Sequence, residues 1–143
     1  MRRNLRVRDL MTDDVYTLKP SDTLASAYDL MDTRHVRHIP VVDREGDLQG
    51  LVTHRDLMRG AFGASSVRPV SSQRDLLSQS FVEEIMQVDV ETVEPDALLK
   101  DAAQIILENK FGCLPVVEGA SLVGILTEAD FVRFVADWLA DQE

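Results

Sequence analysis

The sequence predicts a mixed α/β (α+β) fold in which one β-α-β-β-α unit is used twice. Three observations carry this. First, four segments recur in the same order. Val7-Arg8-Asp9-Leu10-Met11 returns as Val82-Glu83-Glu84-Ile85-Met86, and the stretch 14–20 returns as 89–95. Ile39-Pro40-Val41-Val42 returns as Leu114-Pro115-Val116-Val117, and Gly50-Leu51-Val52-Thr53-His54-Arg55-Asp56 as Gly124-Ile125-Leu126-Thr127-Glu128-Ala129-Asp130. Second, the register is nearly constant. Val7 to Val82 and Pro40 to Pro115 are both steps of 75, whereas Thr53 to Thr127 is a step of 74, so one residue is lost in the turn at 43–47. Third, the apolar pattern in each copy switches between helical spacing and short continuous runs at matched places. A register held this well means one structural unit repeated, and any cleft built by one copy has a pseudo-symmetric counterpart.

Each copy opens with a short amphipathic turn, residues 7–11 and 82–86. A short strand follows at 14–18 and 89–93, ended by Pro20 or Pro95. The next helix places Leu24, Ala27, Tyr28 and Met31 at i, i+3, i+4 and i+7, and Leu99, Ala102, Ala103 and Ile106 likewise. Ser21 or Asp22, and Asp96, stand where N-caps are expected. The runs 37–42 and 112–117 are continuously apolar in their Pro-Val-Val part, as in a strand buried on both faces. Gly46 and Gly119 mark turns. Strands at 48–52 and 122–126 lead into a final helix, which in the second copy carries Phe131, Phe134, Val135 and Trp138 on one stripe. Trp138 at that spacing reads as core or as a dimer contact. The domain boundaries expected are 1–60 for the first repeat, 61–80 for a connector and 81–143 for the second repeat, forming one compact pair. The connector is rich in Ser, Gly and Gln, with a loop first and a possible helix over 74–80.

A chain of 143 residues is about one domain's worth of protein. The formal charge of −10 argues against a general nucleic-acid binder, which needs a basic surface. Cys113 is the sole cysteine, so neither an intramolecular disulfide nor a Cys-rich metal site is possible, and a reducing cytoplasm is expected. Met1-Arg2-Arg3 is basic, but no apolar run follows as in a secretory leader, and no stretch suits a membrane span. The three histidines, His35, His38 and His54, are completed by no Cys or carboxylate set of zinc-like spacing, so no metal is expected. No P-loop, dinucleotide glycine pattern or nucleophile elbow is present.

The chemistry concentrates at Thr53-His54-Arg55-Asp56 and Thr127-Glu128-Ala129-Asp130, where an apolar strand hands over to a helix. The first helical turn carries unpaired N–H groups and a partial positive charge. A Thr there can donate to a phosphate, and an Asp one turn later can accept from a ribose diol. The same Thr-x-x-Asp also fits a capping box, which accounts for the Thr but less well for the glycine three residues before it.

These elements in order resemble the cystathionine-β-synthase (CBS) domain. The ordered set is h-x-x-h-Met, Val-x-Thr-h-x-Pro, a helix, h-Pro-Val-Val and Gly-h-h-Thr-x-x-Asp, where h is apolar. Two copies in tandem resemble a CBS pair, or Bateman module. The resemblance covers the chain except the connector and the extreme ends. It implies two repeats packed through their sheets as a pseudo-twofold module, with clefts between them for AMP, ADP, ATP or S-adenosylmethionine. Thr53 and Asp56, and Thr127 and Asp130, would grip phosphate and ribose. Arg37, His38 and Ile39, and Gly112, Cys113 and Leu114, would line the pockets. Val15, Tyr16 and Thr17, and Val90, Glu91 and Thr92, would enclose the base. It further implies a homodimer formed through helices, and no required cofactor beyond Mg²⁺ accompanying ATP.

Laid over each other, the copies differ in charge. The first cleft carries Arg37, His38, His54 and Arg55, where the second has Gly112, Cys113, Glu128 and Ala129. The arginine forks suit phosphate oxygens. The first cleft is therefore expected to take the more phosphorylated ligand, and the second to be empty or to take a less anionic one, unless these side chains simply face solvent. The function expected is a non-catalytic adenine-nucleotide sensor acting on an unidentified protein partner in trans, with no nucleic acid or membrane involved. The alternative is a structural or oligomerisation module with vestigial clefts.

Overall fold

A computed structural model describes residues 4–62 and 70–142. In chain order the elements are α1 (Val7–Leu10), α2 (Leu24–Arg34), β1 (His38–Val42), β2 (Leu48–Thr53), α3 (His54–Phe62), α4 (Val70–Gln79), a 3-10 turn (Val82–Glu84), α5 (Leu99–Glu108), β3 (Cys113–Glu118), β4 (Ser121–Thr127) and α6 (Glu128–Asp141). The expected helix-strand-strand-helix order is present in both copies without the leading strand, and the connector contributes α4. The loop expected in the early connector lies largely outside the described residues. Among the described residues, no helix is long and apolar enough to cross a membrane.

The compact units do not coincide with the sequence repeats. One unit is Tyr16–Val90. The other joins Met1–Val15 to Glu91–Glu143. Each leading segment thus folds with the body of the other copy. In the Tyr16–Val90 unit, Val82 N–H donates to Asp22 O (2.8 Å), and Leu24 N–H, the first of α2, donates to Ser80 O (3.0 Å). In the other unit Val7 N–H donates to Ala97 O (2.9 Å), and Leu99 N–H to Leu5 O (2.8 Å). The exchanged segments therefore satisfy orphan donors at the starts of α2 and α5.

This changes the caps. Helix α2 is capped by Thr23, whose side chain accepts from Ser26 N–H at 3.1 Å, and not by Ser21 or Asp22. Asp22 instead closes the preceding turn by accepting from Lys19 N–H at 2.7 Å. Asp96 does not cap α5; it forms an ion pair with Arg8 of the exchanged segment.

Each sheet is an antiparallel pair, β1–β2 in one unit and β3–β4 in the other, with a matched irregularity at Val41/Val42 and Val116/Val117. The strands expected at 14–18 and 89–93 shrink to single parallel bridges, Leu18 to Val41 and Val93 to Val116. The prolines explain this. Leu18 donates to Pro40 O and accepts from Val42 N–H, and Val93 does the same with Pro115 and Val117. Extending the ladder two residues back would need an N–H from Pro40 or Pro115, and proline has none.

The core of the Tyr16–Val90 unit gathers Leu18, Leu24, Ile39, Val52, Leu57 and Leu77, the last from α4. The other core gathers Val7, Leu99, Ile106, Leu114, Val116 and Leu126. Of the α6 stripe, Phe131, Phe134 and Trp138 are half-buried, while Val135 is exposed beside Val132 and Leu139.

The shared glycine has a packing reason. The edge of β2 pairs with the exchanged segment through Leu51 N–H to Gln87 O and Gln87 N–H to Leu51 O, both 2.9 Å. Thr12 and Ile125 form the same two bonds on β4, also 2.9 Å. A Cβ on Gly50 would stand 2.7 Å from Gln87 O and 2.9 Å from Met86 Sδ; on Gly124 it would stand 2.9 Å from Met11 Sδ and 3.0 Å from Thr12 O. Gly50→Ala is expected to destabilise by about 1–3 kcal/mol in urea unfolding, as overpacking does. Gly124→Ala is expected to cost less, because its tightest neighbour is a flexible Met side chain. Equal, near-zero losses would contradict this packing.

Cys113 is fully buried in β3, where burial first and the charge of Glu128 second push its thiol up to about 12 from 9.0. The folded pKa is raised, so the thiol's contribution to stability is complete below about pH 9 and is lost as pH rises towards 12. At pH 8 the native thiol is expected to resist iodoacetamide and to react once urea unfolds the chain. Fast native alkylation would show that the site is open.

Candidate functional site

The candidate site residues gather at the two strand-to-helix junctions. In the Tyr16–Val90 unit, β2 runs directly into α3. The register sets His38 opposite Thr53, and His54 N–H, the first of the helix, donates to Arg37 O at 2.8 Å. Thr53 is buried and forms a reciprocal capping box with Asp56. Asp56 N–H donates to Thr53 Oγ1 (3.1 Å), and Thr53 N–H donates to Asp56 Oδ2 (3.2 Å). The capping-box reading of Thr-x-x-Asp is met here, and the box leaves Asp56 Oδ1 to the neutral Gln87 Nε2, a long contact of 3.3 Å.

The junction of the other unit has the same frame. Cys113 lies opposite Thr127, and Glu128 N–H donates to Gly112 O at 3.2 Å. Asp130 is more deeply committed than Asp56. It is 5% exposed. Its Oδ2 accepts from Thr127 N–H at 2.8 Å, and its Oδ1 accepts from Thr12 Oγ1 at 3.0 Å and Arg133 Nη2 at 2.6 Å. Gly112 has φ +72°, and a Cβ there would meet Glu128 Oε1 at 2.6 Å. The position that holds Arg37 in one copy is thus restricted to glycine in the other.

The remaining expected residues divide by exposure. Arg37 and Arg55 are exposed, and His38 and His54 are partly so. Arg37 and His54 border a recess of about 230 Å³ shared with Tyr28, Met31, Asp32, His35 and Val36. The side chains of Ile39, Cys113 and Leu114 are fully buried in the cores, so these three positions can offer a ligand their main chain only. Of the base-enclosing candidates, Val15, Val90 and Thr92 are half-buried, while Thr17 and Glu91 are exposed. Tyr16 lies under the Arg34 guanidinium, 5.3 Å from ring centre to Cζ. The boundaries between units fall inside both segments, after Val15 and after Val90.

Sequence reasoning missed Thr12, Gln87 and Arg133, all of which engage the junctions. Thr12 and Gln87 were recoverable, since each follows the Met of the leading turn and they are 75 residues apart. Arg133 has a counterpart, Arg59, but only the folded chain shows that the two behave differently. Among the described residues, no group of three or more His, Cys, Asp or Glu side chains could hold a metal ion.

A sequence profile of the CBS domain matches residues 7–63 and 82–137. The chain is 32% identical over 136 residues to the uncharacterized protein MJ1225 of Methanocaldococcus jannaschii, covering 94% of this chain and 45% of that protein. It therefore spans less than half the length of that relative. Its fold is similar to the crystal structure of a putative acetoin utilization protein, AcuB, from Vibrio cholerae. The TM-score is 0.81 at 38% identity, over 96% of this chain and 95% of that one. It is also similar to CBSX2 from Arabidopsis thaliana, a CBS-pair protein solved in complex with AMP. For that complex the TM-score is 0.77 at 30% identity, over 92% and 97% of the two chains. With two profile matches that cover most of its length and a likeness to CBS-pair structures end to end, the chain belongs to the CBS-domain family as a tandem pair.

Proposed function

We propose that this CBS pair is a regulatory module that binds an adenosine-containing ligand and passes its occupancy to a protein partner in trans. The observation that carries this is the end-to-end likeness to CBSX2, which was solved with AMP. The α3 junction supplies suitable chemistry. Thr53 Oγ1 offers a hydroxyl donor to phosphate, and the positive end of the α3 dipole favours an anion there. Asp56 Oδ1 offers an acceptor to a ribose diol. Arg37 and Arg55 add exposed guanidinium forks for further phosphate oxygens. The main chain at Arg37, His38 and Ile39 is assigned to the base side, with Tyr16, Thr17 and Val90 of the same unit as its base-enclosing candidates. The α6 junction, with Thr127, Asp130, Gly112, Cys113 and Leu114, has the same frame and a carboxylate, Glu128, in place of that positive charge. The more phosphorylated ligand is therefore assigned to the α3 junction, with Mg²⁺ accompanying it if it is ATP.

The ligand acts by population shift. It favours the conformation it binds best, and a partner that reads that conformation responds by no more than the difference in affinity. A purely structural role is favoured by one observation, the exposed apolar face of α6 at Val132, Val135 and Leu139, which suits a homodimer through helices.

A thermal-shift screen of AMP, ADP, ATP, S-adenosylmethionine and NADH separates the two. A ligand at about 100 times its Kd adds about 2.7 kcal/mol, a rise of roughly 5–10 °C for a domain of this size. No shift with any of the five would leave the structural role standing. Arg55→Ala is expected to weaken ADP binding roughly tenfold, the worth of one charge-assisted hydrogen bond. Ala129→Ser is expected to leave it unchanged, and equal losses from the two variants would remove the asymmetry.

A further inference from the structure

We propose that the α6 junction is latched shut by Arg133, so that each chain takes one nucleotide, at the α3 junction. This rests on the nucleotide reading above and adds a specificity-determining residue to it. Ribose recognition needs a carboxylate oxygen that can be given up to a diol. Asp130 has none to spare. Its Oδ2 is held by Thr127 N–H at 2.8 Å, with the Thr127 hydroxyl at 3.4 Å. Its Oδ1 is held by Thr12 Oγ1 at 3.0 Å and by the Arg133 guanidinium at 2.6 Å. A diol entering here would exchange a cationic guanidinium donor for a neutral hydroxyl donor, a loss rather than a gain.

Glu128 closes the phosphate side. Its Oε1 lies against Gly112, 2.6 Å from where a Cβ would stand, so a carboxylate occupies the ground that Arg37 commands in the other copy. Anionic phosphate placed there meets a like charge.

The α3 junction lacks both devices. Arg59 stands at the position matching Arg133, is exposed, and among the described residues makes no ion pair with Asp56. Among the described residues, Asp56 Oδ1 is held by Gln87 Nε2 alone, at 3.3 Å. That bond is long and exposed and its donor is neutral, and a diol replaces it at little loss. His54 and Arg55 stand where Glu128 and Ala129 stand in the other copy.

The latch is separable from the fold. Arg133 is 66% exposed in its side chain, so its removal takes a surface partner from Asp130 and leaves the Thr127 and Thr12 bonds in place. Isothermal titration of the full chain with AMP reads the outcome as stoichiometry. The wild type is expected to bind one AMP per chain, and Asp56→Asn to lose it. The double variant Arg133→Ala, Glu128→Ala is expected to bind two, and Asp130→Asn added to it to return the count to one. A double variant that stays at one AMP overturns the latch, as does a wild type that already binds two. A wild-type second site weakened by Arg133→Ala would make Arg133 a phosphate ligand, also against the latch. These three results leave the nucleotide reading intact. Absence of AMP binding by wild type and double variant alike removes both.

Discussion

Two hydrogen bonds on the edge of each sheet organise everything around the junctions. Leu51 exchanges both of its main-chain bonds with Gln87, and Ile125 does so with Thr12. Each clip fastens a leading segment from one sequence copy onto the body of the other. It brings Met86-Gln87 against Gly50, and Met11-Thr12 against Gly124, so closely that the glycines can carry no side chain without displacement of a neighbour. The same clip delivers Gln87 to Asp56 and Thr12 to Asp130. The carboxylates that the resemblance assigns to ribose are therefore positioned by a segment far away in sequence. The edges of β2 and β4, which would otherwise present unpaired N–H and C=O groups, are partly covered by it.

Given that frame, the two copies were free to diverge only where the frame does not reach. Buried positions kept their type: Ile39 and Leu114, Pro40 and Pro115, Val41 and Val116, Val52 and Leu126 are all fully buried or nearly so. A change of volume there would leave a void or a clash costing kilocalories. The first helical residues point outward and carry no such constraint. They became His54 and Arg55 in one copy and Glu128 and Ala129 in the other. Charge at the mouth of a junction can thus be altered without touching the core.

The prolines show the same economy in the sheets. Pro40 and Pro115 sit in the middle strands, where the antiparallel partner does not need their missing N–H, yet they stop the parallel strand on the other side after one residue. The segments at Tyr16-Thr17 and Glu91-Thr92 are thereby left outside the ladder, with main-chain groups and side chains available for other partners. Tyr16 uses that freedom to stack beneath Arg34. These segments adjoin the two places where the chain passes from one unit into the other.

The sequence by itself determined the repeat, the order of elements, the buried runs and the two Thr-x-x-Asp junctions, because periodicity and register are local properties of a chain. It determined the charge contrast between the copies for the same reason, since matched positions can be compared without coordinates. Only the tertiary structure decided that the leading segments change places, and that Thr23, not Ser21 or Asp22, caps α2. Only it showed that Gly50 and Gly124 yield to a main-chain neighbour contributed by the other copy. It also decided that Ile39, Cys113 and Leu114 turn into the cores, and that Arg133 grips Asp130 while Arg59 leaves Asp56 alone. Each of these depends on which groups distant in sequence meet, and on which side chain reaches a partner first. No spacing rule within one segment contains that information.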